Sequence, residues 1–296
     1  MADFFEDKFE NKYVDVNGLR LHYTDWGGNS SKPLLMVHGF NVQLHTWDPI
    51  ADMLRDEYHV YCLDLRGHGD SDWANCGRGA QAIDGYPLQA FVSDIYEFQK
   101  KLNLAPFDYV GHSLGSRIGI GYAGAHPETL KHVALSDTGP EVSRAGAEAV
   151  RDRAAGAGTA SAPPTPRGFR TEEEVRDFYA QQHQSWRPIF IDLHARYQVR
   201  KNWADRLIFK ADPDMFWITG SFSLREVPHL WDMASKITVP ALVMWGETSN
   251  LLNEEIANRM IEVMPKGELA RFKTGHYIPR EEPEEFTRVL REFLAK

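Results

Sequence analysis

Cysteine is nearly absent from this 296-residue chain, which carries only Cys62 and Cys76. Two thiols cannot build a disulfide framework, so an apolar core must hold the fold, and a reducing cytoplasm is the expected setting. Long apolar runs are missing too. No window approaches the roughly 18 consecutive apolar residues of a membrane helix. The opening MADFFEDKFENKY is acidic and has none of the apolar stretch of a secretory signal. Positive charge is in deficit, with 33 Lys and Arg against 42 Asp and Glu and a formal net charge of −9. Nucleic acid phosphates need a basic footprint, and none is offered. No HExxH and no clustered His/Cys spacing calls for a metal, and no cofactor is expected. Exclusion leaves a cytoplasmic protein acting on a small molecule, off the membrane and away from nucleic acid.

The chain is rich in short apolar runs separated by helical stretches. Asn17-Gly18 lies between two alternating segments and predicts a tight hairpin, because both turn positions need positive φ. PLLMVHG (33–39), HVYCLDL (59–65), FDYVGHS (107–113), KHVALSD (131–137), ALVMWGE (241–247) and GELARFKTG (267–275) read as strands. Their near-continuous apolarity suits a parallel sheet covered on both faces, and Cys62 is expected in its core. Helices are expected at Trp47–Asp56, Leu88–Leu102 and Leu114–Ala125, so strand and helix alternate as in an α/β fold. The alternation stops at residues 140–236, read as a mostly helical insertion. Thr171 and Glu174 there make a capping-box start for a helix through His183. The expected domains are a core of residues 1–139 and 237–296 and an inserted helical cap of residues 140–236.

Gly111-His112-Ser113-Leu114-Gly115 fits G-x-S-x-G, placed between an expected strand and an expected helix. A serine there occupies a sharp, strained turn, so its neighbours cannot carry bulk. Its hydroxyl stands above the C-terminal edge of the sheet, with the N–H groups of the next helix aimed at any negative charge that forms. A hydroxyl needs a base to become a nucleophile. Of twelve histidines, His276 is the candidate, because it follows the last expected strand and precedes the C-terminal helix. The oxyanion of an acyl-transfer intermediate needs preorganised donors. Leu114 N–H is one, and Phe40 N–H, after the strand-end turn His38-Gly39, is the expected second.

HGF (38–40), DLRGHGDS (64–71), GHSLG (111–115) and GHYIPREEPEEF (275–286) stand in one order along nearly the whole chain. In this the sequence resembles the α/β-hydrolase family. The resemblance implies a mostly parallel eight-stranded sheet flanked by helices, an inserted helical cap, and a nucleophile–acid–histidine triad. It does not fix the substrate.

The acid departs from the pattern. In most of that family a carboxylate lies three residues beyond the glycine of the WG step, and here that place holds Ser249, followed by Asn250. Neither carries the charge that stabilises an imidazolium. Asp137, at the end of an expected neighbouring strand, and Glu247 are the two candidates, with a Ser–His dyad as a third possibility. The 24-residue step from Ser113 to Asp137 and the GETSNLL segment resemble hydrolases of 2-(acetamidomethylene)succinate, and zearalenone hydrolases share the displaced acid. By that resemblance Asp137 completes the triad, Arg153 falls where those enzymes carry a substrate-carboxylate arginine, and Tyr277 touches substrate. The next segment, with Gln182 and His183, does not follow them.

The insertion holds Trp186, Trp203, Phe216, Trp217, Phe222 and Trp231. They either line an aromatic cleft or glue the insertion to the core. The expected activity is hydrolysis of a small carboxylic ester, lactone or amide through an acyl-enzyme. The alternatives are C–C bond cleavage of a diketone-type substrate and a small-molecule receptor with weak hydrolysis. Haloalkane dehalogenase and epoxide hydrolase chemistry is disfavoured, because those relatives need an aspartate where Ser113 stands.

Overall fold

The computed structural model describes residues 5–28, 30–74, 84–148, 168–215 and 225–296. Arg153, Cys76, Phe216, Trp217 and Phe222 lie outside the described residues.

Eight strands form one sheet: β1 (Glu10–Val16), β2 (Leu19–Asp25), β3 (Pro33–Val37), β4 (His59–Leu63), β5 (Phe107–His112), β6 (Leu130–Ser136), β9 (Ala241–Gly246) and β10 (Gly267–Phe272). Their spatial order is β1-β2-β4-β3-β5-β6-β9-β10. Only the pairings that involve β2 are antiparallel. The β1–β2 hairpin turns at Asn17 and Gly18, with φ of 50° and 76°.

The apolar runs work because the period of two divides each strand between two cores. Leu35 and Val37 of β3, Tyr109 of β5, Val133 and Leu135 of β6 and Val243 of β9 pack on one face. Leu34, Met36, Cys62, Val110, Ala134, Leu242 and Met244 pack on the other. Helices Leu88–Leu102 and Leu114–Ala125 contribute Phe91, Ile95, Ile118 and Tyr122 to the first core, and Pro283–Leu294 contributes Phe286, Leu290 and Phe293 to the second. Burial at roughly 25 cal/mol per Å² makes these two layers the main source of stability.

Between β6 and β9 the chain leaves the sheet. Helices Glu172–Gln182 and Pro188–Tyr197 pack on each other through Val175, Tyr179, Phe190, Ile191 and Leu193. Thr171 caps the first by accepting from Glu174 N–H at 3.2 Å. The excursion is not purely helical. Two three-residue strands, β7 (Val199–Lys201) and β8 (Leu207–Phe209), pair antiparallel, and Phe169 bridges to Leu207. Three residues are too few for an alternation to show in sequence.

Candidate active site

The site begins with the turn at Ser113, where β5 passes into helix Leu114–Ala125. Ser113 has φ 56° and ψ −114°, a conformation that costs an L-residue energy and that the surroundings must enforce. They do so by close approach. A Cβ at Gly111 would lie 2.3 Å from Gly115 O, and one at Gly115 would lie 2.3 Å from Val37 O. Ser116 Oγ donates to both Gly111 O and Ser136 O, and Tyr109 Oη donates to Gly115 O at 2.7 Å. Ser113 is held as the residue before a helix N-terminus, and Leu114 supplies one of the end-of-helix N–H donors without an intrahelical partner.

The imidazole of His276 arrives on the loop after β10. Its Nδ1 lies 2.8 Å from Asp137 Oδ2. Asp137 directly follows the last residue of β6, with φ 54° and no solvent exposure. Parallel pairing sets Ser136 opposite both His112 of β5 and Met244 of β9, so the residue after it stands between two neighbouring strand ends. Gly246 N–H donates to Asp137 Oδ1 at 2.8 Å, and the Ser249 hydroxyl donates to Oδ2. Burial pushes the Asp137 carboxyl up from its ordinary range, while bonds from His276, Ser249 and Gly246 pull it back. Thus position 249, where the family resemblance leads one to expect a carboxylate, holds a hydroxyl that donates to Asp137. Glu247, the other candidate, has an exposed side chain, and the carboxylate on His276 Nδ1 is that of Asp137.

The serine and the imidazole face one cleft of about 720 Å³, its open mouth included. Ser113 Oγ makes no hydrogen bond to His276 in this structure. Such bonds are often long before substrate binds.

Beside Ser113 lies the turn after β3, with Gly39, Phe40, Asn41 and Val42 along the cleft; a Cβ on Gly39 would come 3.0 Å from that of Ser113. His38 orders it. Its Nε2 accepts from Leu65 N–H at 3.0 Å, so the ring proton is on Nδ1, which donates to Gly39 O at 2.7 Å. Burial lowers the His38 pKa and keeps the ring neutral. In a trans peptide the N–H points opposite to the carbonyl. Anchoring Gly39 O on His38 therefore fixes the direction of Phe40 N–H.

Two residues beside the expected set prove to belong to this cleft. His112, in the variable slot of the serine motif, lies with its Nε2 2.9 Å from the His276 carbonyl oxygen and so must donate to it. Burial and neighbouring positive charge hold its pKa well below the ordinary value. Arg280 also lines the cleft, although no motif in the sequence marks it. Tyr277 lines the cleft, and so does Trp186. Trp203, expected either in a cleft or as glue, is 99% exposed. Trp231 packs against the main core instead.

His22, Asp64 and Asp70 bring ligand atoms within 4.8 Å of one another, but none lines the cleft. Hydrogen bonding accounts for the group: Asp64 accepts from His22 Nδ1 at 2.7 Å and from Leu44 and Asp70 N–H.

A model of the α/β hydrolase fold matches residues 32–283. Fluoroacetate dehalogenase of a Burkholderia species is 29% identical, over 97% of this chain and 94% of its own. The (E)-2-((N-methylformamido)methylene)succinate hydrolase of Acinetobacter baylyi is 35% identical across 47% of this chain and 49% of its own. The crystal structure of E-2-(acetamidomethylene)succinate hydrolase superposes with a TM-score of 0.84 at 21% identity, covering 97% of this chain and all of that one. With the eight-stranded sheet, the strained turn at Ser113 and a family match over most of its length, the chain belongs to the α/β hydrolase fold family.

Proposed function

We propose that the protein is a serine hydrolase of small carboxylic esters, lactones or amides, working through an acyl-enzyme under a cap formed by residues 140–236. The observation that carries this reading is the 2.8 Å bond between His276 Nδ1 and Asp137 Oδ2, on a cleft that also holds the strained Ser113. With Nδ1 donating to the carboxylate, Nε2 is left as the basic nitrogen. It takes the Ser113 proton as Oγ attacks the acyl carbon. Leu114 and Phe40 N–H hold the oxyanion. His276 returns the proton to the leaving group, and water, deprotonated by the same nitrogen, releases the acid.

One relative is a dehalogenase, yet halide displacement fits these residues poorly. Displacement by a carboxylate leaves an ester that water can cleave, whereas displacement by Ser113 would leave an inert ether. C–C bond hydrolysis uses the same three side chains and is the second enzymatic possibility. The test is labelling with a fluorophosphonate followed by peptide mass spectrometry, alongside turnover of p-nitrophenyl acetate. One adduct on Ser113, with turnover lost in Ser113→Ala, supports the reading. Turnover that survives Ser113→Ala refutes it. An adduct with binding but no repeated turnover favours the receptor reading over the enzyme.

A further inference from the structure

Arg280 is 1% exposed and has no carboxylate partner among the described residues. Its Nε donates to Thr46 Oγ1 at 2.9 Å, and its Nη1 is buried with no hydrogen-bond partner. Its guanidinium carbon lies 4.5 Å from the Trp186 ring centroid and 5.1 Å from that of Tyr277. Those rings pack close to the cation, and beyond the Nε bond its Nη1 donors are left without an acceptor. Trp186 Nε1–H, on the same cleft, is also buried without an acceptor. Buried donors are nearly always paired, so each orphan needs an explanation.

The rest of the cleft sharpens the point. Among the described residues that line it there is no aspartate and no glutamate. His112 and His183, which do line it, are held neutral by burial and by the charge of Arg280 itself. Burial lowers the guanidinium pKa only to about 10, so the cation persists at neutral pH. Glu281 acts on this cation only through space, its carboxylate being taken by Ser185 Oγ and Gly275 N–H, and a buried charge without a bonded counter-ion is expensive to maintain. The group that would offset it must accept hydrogen bonds, donate none and carry negative charge.

We propose that Arg280 and Trp186 form an anion subsite beside the reacting centre, and that the substrate carries a carboxylate which this subsite binds. The inference rests on the serine-hydrolase reading for the reaction and names its substrate class: esters or amides bearing a free carboxylate a few bonds from the scissile carbonyl. Planar guanidinium donors suit a carboxylate geometrically as well as electrostatically. The aromatic wall of Phe178, Tyr179, Trp186 and Tyr277 accepts the apolar part between the two ends.

The test compares substrates that differ only in that charge. One pair is mono-p-nitrophenyl glutarate and its methyl ester, with the carboxylate on the acyl side. The other is 4-acetoxybenzoate and its methyl ester, with the carboxylate on the leaving side. The wild-type enzyme is expected to prefer the acid of at least one pair by on the order of 100-fold in kcat/KM. Arg280→Gln should abolish that ratio, and Arg280→Lys should restore part of it. Equal rates within both pairs, or a ratio that survives Arg280→Gln, overturn the proposal. If Arg280→Gln does not fold, the wild-type ratios and competitive inhibition by glutarate decide alone, and absence of both overturns it. Ser113→Ala keeps the two readings separate. Hydrolysis surviving in it sinks the serine reading, whereas calorimetric binding of glutarate to it reports on the subsite whatever the chemistry.

Discussion

Ser249 and His276 donate to the same oxygen, Oδ2 of Asp137. The loop after β9, where the family resemblance leads one to expect the carboxylate, thus hydrogen-bonds a carboxylate that sits one strand away. Two donors on one carboxylate oxygen share its charge, so the strength of either bond depends on the other.

Removing the Ser249 hydroxyl leaves Asp137 buried with one donor fewer. Its carboxyl already lies above the ordinary range because of burial, and losing a stabilising bond raises it further. A protonated Asp137 would no longer accept from His276 Nδ1, so the relay proposed above would fail at a higher pH. In Ser249→Ala the acidic limb of the kcat/KM profile should therefore move to higher pH, with activity on the alkaline plateau retained. A pH–rate profile checks this, and an unmoved limb counts against the shared-oxygen picture.

His112 ties its Nε2–H to the carbonyl of His276, so it positions the backbone that carries this imidazole. His112→Leu keeps a buried apolar group but drops the bond. We expect kcat to fall about tenfold with little change in KM, as suits a small misplacement of the reacting groups. A purely destabilised variant would lower Tm and leave kcat per folded molecule untouched.

His38 holds the Gly39 carbonyl and, through the planar peptide, the direction of Phe40 N–H. His38→Ala should lower kcat by roughly 10- to 100-fold, less than the loss expected for deleting an oxyanion donor outright. Steady-state kinetics with a neutral p-nitrophenyl ester reads it out. Full activity would mean that Phe40 N–H is held by other contacts.

Gly115 has no room for a methyl group, since a Cβ would meet backbone at Val37 O rather than a side chain that can move aside. Gly115→Ala is expected to destabilise the fold by about 3 kcal/mol or more, visible as a lower urea midpoint. Unchanged stability would contradict the close packing of this turn against β3.

Much of this was legible in the sequence, for reasons of period and chemistry. The near-continuous apolar runs at 33–37, 107–112 and 241–246 announce strands buried on both faces, and G-x-S-x-G between strand and helix announces the serine. Asp137 was legible only as one of two candidates, because strand order rather than chain distance decides which carboxylate meets His276. Arg280 was hidden among the charges of PREEPEEF, where a sequence reader expects exposed ion pairs. The one-turn helix Ile278–Glu281 buries it instead. His112 occupies a slot that the motif leaves free, so nothing in the pattern marks it. The β7–β8 hairpin is shorter than any periodic signal.

The central claim is that a carboxylate from β6, not from the loop after β9, completes the proton relay. Comparing kcat of Asp137→Asn with that of Glu247→Gln tests it most directly. The account predicts a loss on the order of 10⁴ for Asp137→Asn, as for triad-acid replacement in general, and a change within about threefold for Glu247→Gln, an exposed surface substitution. A larger loss at Glu247, or near-normal turnover in Asp137→Asn, would contradict it.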